Sequence, residues 1–437
     1  MYAVQNQFSY WTLVKKIGFT IILQLLLAVI CLLKGETAYA NFMSFFTFLF
    51  IASTSLLVTC VIKEKDDKLA MMAIVLQDIG IALQAIVGME DSHRTMIVMA
   101  IGLAAAILFV MIMQRLTLMS WFNVHGAKFF GTILILAMMV MLVFGQAANG
   151  VAAWIAVGDG TIQITEIIKF LCLIFFSCVL SNQKQSELHK FIACLMMMLM
   201  TVGALFWIGE LGTAMLVILV YILAVYLFLD WKYTKMNIFG LGAGILLGAL
   251  GLFVIIHFQG WLGSHQMTTL VESANRVIHR ILLVFNPQAL AGTDLDYQLN
   301  QARKAMVTGG LLGNNQSVYI PVAQSDFIFI VLLANMGVLA GIIVIALFAG
   351  MVSLGLQQVS SQHHPGQFRQ ILSVLFLIEI GLRAFIMIAG TIGMMPMTGL
   401  AMPLLASGGT AALLTYSAIG YILFASEYRK IRRRWFR

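Results

Sequence analysis

The chain has 437 residues, of which 61% are hydrophobic and only 10% charged. No soluble domain carries that balance, whereas membrane helices do, because they satisfy their own backbone hydrogen bonds in hydrocarbon. The formal charge of +8 is spread over short connections and the tail. That spread excludes a nucleic-acid patch and reads as topology signalling.

Twelve apolar runs are long enough to cross a bilayer, near 17–34, 42–62, 69–88, 95–113, 129–147, 166–182, 190–208, 211–229, 237–258, 326–352, 371–391 and 403–426. The expected fold is an all-α polytopic membrane protein of about 12 transmembrane helices, with a large extracytoplasmic loop between spans nine and ten. The first run has no small-residue cleavage site and is expected to be retained. Residues 1–125 form an N-terminal transmembrane region of four spans to which no chemistry is assigned. Residues 126–437 form the core, including the loop 259–325 and a basic tail, 427–437.

Asp78 in the third run has no sequence-local partner. Glu166 and Lys169 are three apart, so on a helix they share a face and pair. The link at 209–210 predicts a tight helical hairpin of spans seven and eight. Arg383 follows Glu379 by four residues, the spacing of an intrahelical ion pair inside the eleventh run. Asp326 stands at the entrance of the tenth run, where a carboxylate is either a site group or a charge at a helix N-terminus beside Ser325.

Lys63, Lys65, Lys68, Arg115, Lys128, Lys184, Lys190, Lys232, Lys235 and Arg369 fall in alternate connections, and six further cations in the tail. This bias places both termini in the cytoplasm and the 259–325 loop outside. The inner loop 183–189 is too short to join two transporter halves. The five cysteines (Cys31, Cys60, Cys172, Cys178, Cys194) lie in apolar runs and read as small core residues. The eight histidines lack metal-ligand spacing. Gly309, Gly310 and Gly313 lack the Lys and Ser/Thr of a nucleotide loop and read as a turn or a close backbone contact.

The loop of roughly 65 residues (259–325) is rich in Trp, Tyr, Ile, Leu and Phe, which predicts a folded cap rather than a tether. Arg280-Ile281, Asn286-Pro287, Tyr297-Gln298, Gln301, Ala305, Gly309-Gly310-Leu311, Gly313, Ile320-Pro321 and Ser325 to Phe329 follow one another here. In order and spacing they resemble the extracytoplasmic loop of the SEDS family (shape, elongation, division and sporulation; the RodA, FtsW and SpoVE group). Trp154, Gly158, Gln163, Glu166 and Lys169 resemble its W…G…QPSE…K segment, with Ile164-Thr165 in place of Pro-Ser. Glu210 to Ala214 resembles its DLGTA motif, with Glu for Asp. Gly393, Pro396, Thr398-Gly399, Pro403 and Ser407 to Thr410 resemble its PxTGxxLPFxSYGGS stretch. Two extra N-terminal spans, as here, also occur in RodA-like members.

The resemblance implies a peptidoglycan glycosyltransferase of the bacterial cytoplasmic membrane that polymerises lipid II. The 4-hydroxyl of one lipid II attacks the anomeric carbon of an undecaprenyl pyrophosphate-linked glycan, and the pyrophosphate leaves with inversion. It implies a class B penicillin-binding protein and membrane lipids as partners, and no cofactor, with a divalent cation left open. The family's base is an Asp six residues before the Tyr, where this chain has Ala291; the candidates become Asp294 and, alternatively, Asp296. Arg280, Glu166, Lys169, Tyr297, Gln298, Gln301, Asp326 and Ser407 are the expected substrate-binding residues. Arg280 suits a pyrophosphate because a guanidinium binds two of its oxygens. Val322 and Ala334-Asn335 stand where the family carries further carboxylates. Two other readings follow: a non-catalytic relative that binds lipid II or activates a penicillin-binding protein, and a flippase for lipid-linked precursors.

Overall fold

The computed structural model describes residues 2–34, 68–88, 90–148, 151–157, 160–258, 268–286, 292–314, 320, 322–360 and 367–425. The expected second span, the basic tail, Gly158, Ala291 and the side chain of Asp294 lie outside the described residues. The helices are α1 (Tyr2–Lys34), α2 (Lys68–Val87), α3 (Glu90–Leu118), α4 (Ser120–Phe144), α5 (Ile164–Leu180), α6 (Glu187–Ile208) and α7 (Leu211–Phe228). They continue with α8 (Trp231–His257), α9 (Thr268–Phe285), α10 (Asp294–Gly309), α11 (Ile328–Ser360), α12 (Gln367–Thr391) and α13 (Gly409–Ala425). Among the described residues, seven helices are long and apolar enough to cross a membrane. The chain is an all-α polytopic membrane protein. Ile107, Leu108, Leu136, Val143, Phe239 and Leu246 are exposed, as hydrocarbon-facing side chains are.

The chain divides into two units. In the first (1–110, 298–365 and 401–437), α2 packs against α1 and α11. Helices α3 and α13 approach closely over small residues: a Cβ on Gly102 would run into the Tyr416 ring, and one on Gly420 would meet the Ala106 methyl at 3.1 Å. Helix α11 is broken at Gly337, whose φ of 82° and ψ of 176° belong to no helix. The Gly309–Asn314 turn fills the break: Asn314 N donates to Ala334 O, Val338 N to Gly310 O and Leu339 N to Leu311 O. Gly309 and Gly313 thus serve close backbone packing and Gly310 a left-handed turn, the physical alternatives to a phosphate loop.

In the second unit (111–297 and 366–400), α5 packs against α4, α6, α7 and α12, and α9 lies on α6 and α8. A small antiparallel sheet precedes α5: β1 (Gln146–Ala148), β2 (Val151–Val157) and β3 (Gly160–Gln163), in the order β1-β2-β3. These strands were not expected among the apolar runs, although Asn149-Gly150 and Asp159-Gly160 flank them with hairpin chemistry. Pairing of Trp154 with Gln163 fixes the entry to α5. The expected hairpin at 209–210 is present: Gly209 (φ 83°) ends α6, and Glu210 leads directly into α7. The long loop is folded, since it contains α9 and the whole of α10.

Candidate functional site

The second unit gathers its buried charges around the start of α5. Glu166 lies in the first turn of that helix, a favourable place for a negative charge at the positive end of the helix dipole. Lys169, one turn on, reaches back so that its Nζ stands 2.6 Å from Glu166 Oε2. The same ammonium is 2.7 Å from Glu379 Oε1 on α12. Arg383 closes the ring, with Nε 3.2 Å from Glu379 Oε1 and Nη1 3.5 Å from Glu166 Oε2. All four residues are buried. Two carboxylates and two cations cancel, which is the condition under which charge persists away from water. The two ion pairs expected separately from helical spacing are therefore one assembly joining α5 to α12.

A second group surrounds the α6–α7 link. Glu210 is buried at the N-cap of α7 and accepts a 2.9 Å hydrogen bond on Oε1 from Thr213 Oγ1. Burial pushes its carboxyl above the usual carboxylate range. The Thr213 hydrogen bond and the Arg280 charge oppose that shift, and the nearby Glu166 charge adds to it. Helix α9 brings two guanidinium groups to this place from positions four apart on one face. That of Arg276 lies against Gly209, where any Cβ would displace it. Arg280 Nη1 donates to Thr398 O at 3.5 Å, and Gly212 lets the start of α7 lie against the same carbonyl.

Of the expected site residues, Glu166, Lys169 and Arg280 thus fall in one neighbourhood. Lys169 is held between two carboxylates, so its charge is already matched. Sequence reasoning gave no role to Glu210 or Arg276. An acid between two apolar runs, and an arginine one helical turn before Arg280, were the available signals.

Asp294 opens α10. Asp296 serves the start of that helix: its Oδ2 accepts from Gly292 N at 3.3 Å, and its N donates to Thr293 Oγ1 at 3.4 Å. Tyr297 is half exposed, and Gln298 and Gln301 are partly buried further along. In the first unit, Ser325 Oγ donates to Asp326 Oδ1 at 3.1 Å just ahead of α11. The Ser407 hydroxyl and amide both donate to Gln324 O, at 3.1 and 3.0 Å, and Gln84 Nε2 donates to the same oxygen at 2.8 Å. Ser407 therefore ties two turns together. Ala334 and Asn335 are backbone partners here, through Ala334 O from Asn314 N and Asn335 Nδ2 to Val331 O.

These features define a multi-pass helical membrane protein with a charge-balanced interior and a pair of guanidinium groups beside a buried acid. The model of the FtsW, RodA and SpoVE family, described as cell cycle protein, matches residues 68–431, and the chain belongs to that family. Among its relatives, a "Probable peptidoglycan glycosyltransferase FtsW" of Marinobacter nauticus is 25% identical, over 88% of this chain and 90% of the relative. The "Stage V sporulation protein E" of Bacillus subtilis is 26% identical, over 78% and 87%. The fold is similar to a chain of a solved peptidoglycan synthase complex, with a TM-score of 0.63 and 20% identity over 83% of this chain and 98% of that one. It is also similar to the rod shape determining protein RodA of Thermus thermophilus, with a TM-score of 0.57 and 19% identity over 83% and 97%.

Proposed function

We propose that the chain is a peptidoglycan glycosyltransferase that polymerises lipid II at the outer face of the bacterial cytoplasmic membrane, in concert with a class B penicillin-binding protein. The observation that carries this reading is the convergence of Arg276, Arg280 and Glu210 at the α6–α7 link, beside a charge ring that is already neutral. A guanidinium binds two oxygens of a diphosphate at once, which suits Arg276 and Arg280 to that charge. The names of the relatives point the same way.

In this mechanism Arg280 and Arg276 take the charge of the leaving polyprenyl diphosphate. Glu166 and Lys169 hold the neighbouring helix in place through Glu379 and Arg383. Asp294, at the first position of α10, accepts the proton of the attacking hydroxyl, while Asp296 is occupied in shaping the turn. Tyr297, Gln298 and Gln301 follow on the same helix as sugar-binding residues. Asp326 and Ser407 order the turns on either side of Gln324. The basic residues of the inner connections keep both termini in the cytoplasm.

A second reading has a specific support: Ala334 and Asn335 make structural hydrogen bonds where the family carries acids, and Val322 and Ala291 are apolar. It makes the chain a relative that binds lipid II and activates its penicillin-binding partner without chemistry of its own. Fluorescent lipid II given to the purified protein, alone and with that partner, separates the two, with chelator present and absent to settle the need for a divalent cation. Polymer that disappears in Asp294→Ala, with melting unchanged, is the expected result. Lipid II binding without polymer under every condition would favour the activator.

A further inference from the structure

The membrane interior of the first unit contains a carboxyl group that none of the chemistry above uses. Asp78 is fully buried midway along α2. Its side-chain partner is Gln24 of α1, whose Nε2 donates to Asp78 Oδ2 at 3.3 Å. The other carboxyl oxygen, Oδ1, and the amide oxygen of Gln24 are both buried without a hydrogen-bond donor.

Among the described residues Asp78 has no ion pair, and the sequence around it explains why. Helix α11, packed on α2, contains no charged residue. On α1, Lys15 and Lys16 stand at least eight residues before Gln24. From α13 the titratable neighbour is the phenol of Tyr416, buried beside Ile81 of α2. A carboxylate at this depth needs a cation or several donors, and one amide N–H is neither.

One proton resolves both orphaned oxygens. With Oδ1 protonated, the acid O–H donates to the Gln24 carbonyl while the Gln24 N–H donates to Oδ2, the reciprocal pairing of a carboxylic acid with a primary amide. We propose that Asp78 and Gln24 form an intramembrane proton-binding site, occupied at neutral pH, that clasps α1 to α2.

The surroundings make the clasp consequential. The rest of this contact is apolar, with Leu27, Ala28 and Cys31 of α1 against Ala82 and Ala85 of α2. Among the described residues, nothing else there compensates a charge when the proton leaves. Six residues further along α2, Gln84 donates to Gln324 O, the oxygen that also receives Ser407, and to Leu405 O. Loss of the proton is thus felt on the helix that donates to both oxygens. Gln24 precedes residue 68, where the family match begins, so half of the site lies outside the matched region. The proposal does not depend on the enzymatic reading.

Infrared spectroscopy of the full chain in lipid nanodiscs tests it directly. Wild type at neutral pH is expected to show a protonated-carboxyl C=O band that shifts on ¹³C-aspartate labelling and vanishes on alkaline titration. The band is expected to be lost in Asp78→Asn, which keeps amide pairing with Gln24 and melts at an unchanged temperature, and to move to higher frequency in Gln24→Leu. Absence of a label-sensitive acid band from wild type at neutral pH would overturn the proposal without any variant having to fold. Survival of the band in Asp78→Asn would do the same. Stabilisation by sodium ions that needs Asp78, with no acid band, would assign the site to a metal cation instead and equally overturn it.

Discussion

Each carboxylate of the α5–α12 ring faces two cations and each cation two carboxylates, so no member can be removed neutrally. Arg383→Met leaves Glu166 and Glu379 sharing the Lys169 ammonium in a buried place. It is expected to cost about 3–5 kcal/mol, the usual penalty for stranding one half of a buried pair. Thermal unfolding in detergent should show this as a large drop in melting temperature. The double change Arg383→Met with Glu379→Gln removes one charge of each sign and should recover much of the loss. Glu210 behaves differently, because burial raises its pKa instead of pairing it. A carboxyl whose folded pKa lies above its unfolded value contributes stability that is full below the unfolded pKa and lost as pH rises through the folded one. Wild type should therefore lose stability relative to Glu210→Gln as pH rises from acid into the neutral range, read from melting temperatures of both proteins across pH.

At the scale of the element, the break in α11 is the feature with the sharpest requirement. Gly337 has a backbone conformation open only to glycine, and a Cβ there would strike the Leu311 carbonyl and the Gly313 amide. Gly337→Ala should destabilise by at least about 1–3 kcal/mol through backbone strain alone. The measurement is the melting temperature together with the monodisperse yield after purification. An unaffected variant would mean that the Gly309–Asn314 turn does not rest in the break. Helix α9 makes the complementary point: its Arg276 and Arg280 lie on one face because they are four apart, and that face meets the α6–α7 link because α9 packs on α6.

For the whole molecule the testable property is topology. Cys31, Cys172, Cys178 and Cys194 are free and buried, so in a Cys60→Ser background an introduced thiol dominates the labelling. A membrane-impermeant maleimide applied to intact cells should label Arg303→Cys in the long loop and leave Lys184→Cys unlabelled until the membrane is opened. The reverse pattern would invert the orientation inferred from the positive charges and remove the outer-face site with it.

The sequence by itself determined the membrane-spanning helical class, because continuous apolar runs this long satisfy their backbone in lipid as helices. It also determined the short α6–α7 hairpin, the pairing of Glu166 with Lys169 and of Glu379 with Arg383, and the family, since these depend on neighbours within a few residues or on a run of motifs. The sheet before α5 was signalled by its turn dipeptides and missed among longer hydrophobic patterns. Only the tertiary structure decided that the two ion pairs are one ring, that Arg276 lies against Gly209 and Arg280 near the Glu210 carboxyl, and that Asp78 is answered by Gln24 from 54 residues away. Those contacts join residues distant in sequence, and in an apolar chain helical periodicity does not say which face of one span meets which face of another. Packing makes that choice, and in doing so it fixes which buried charges neutralise one another.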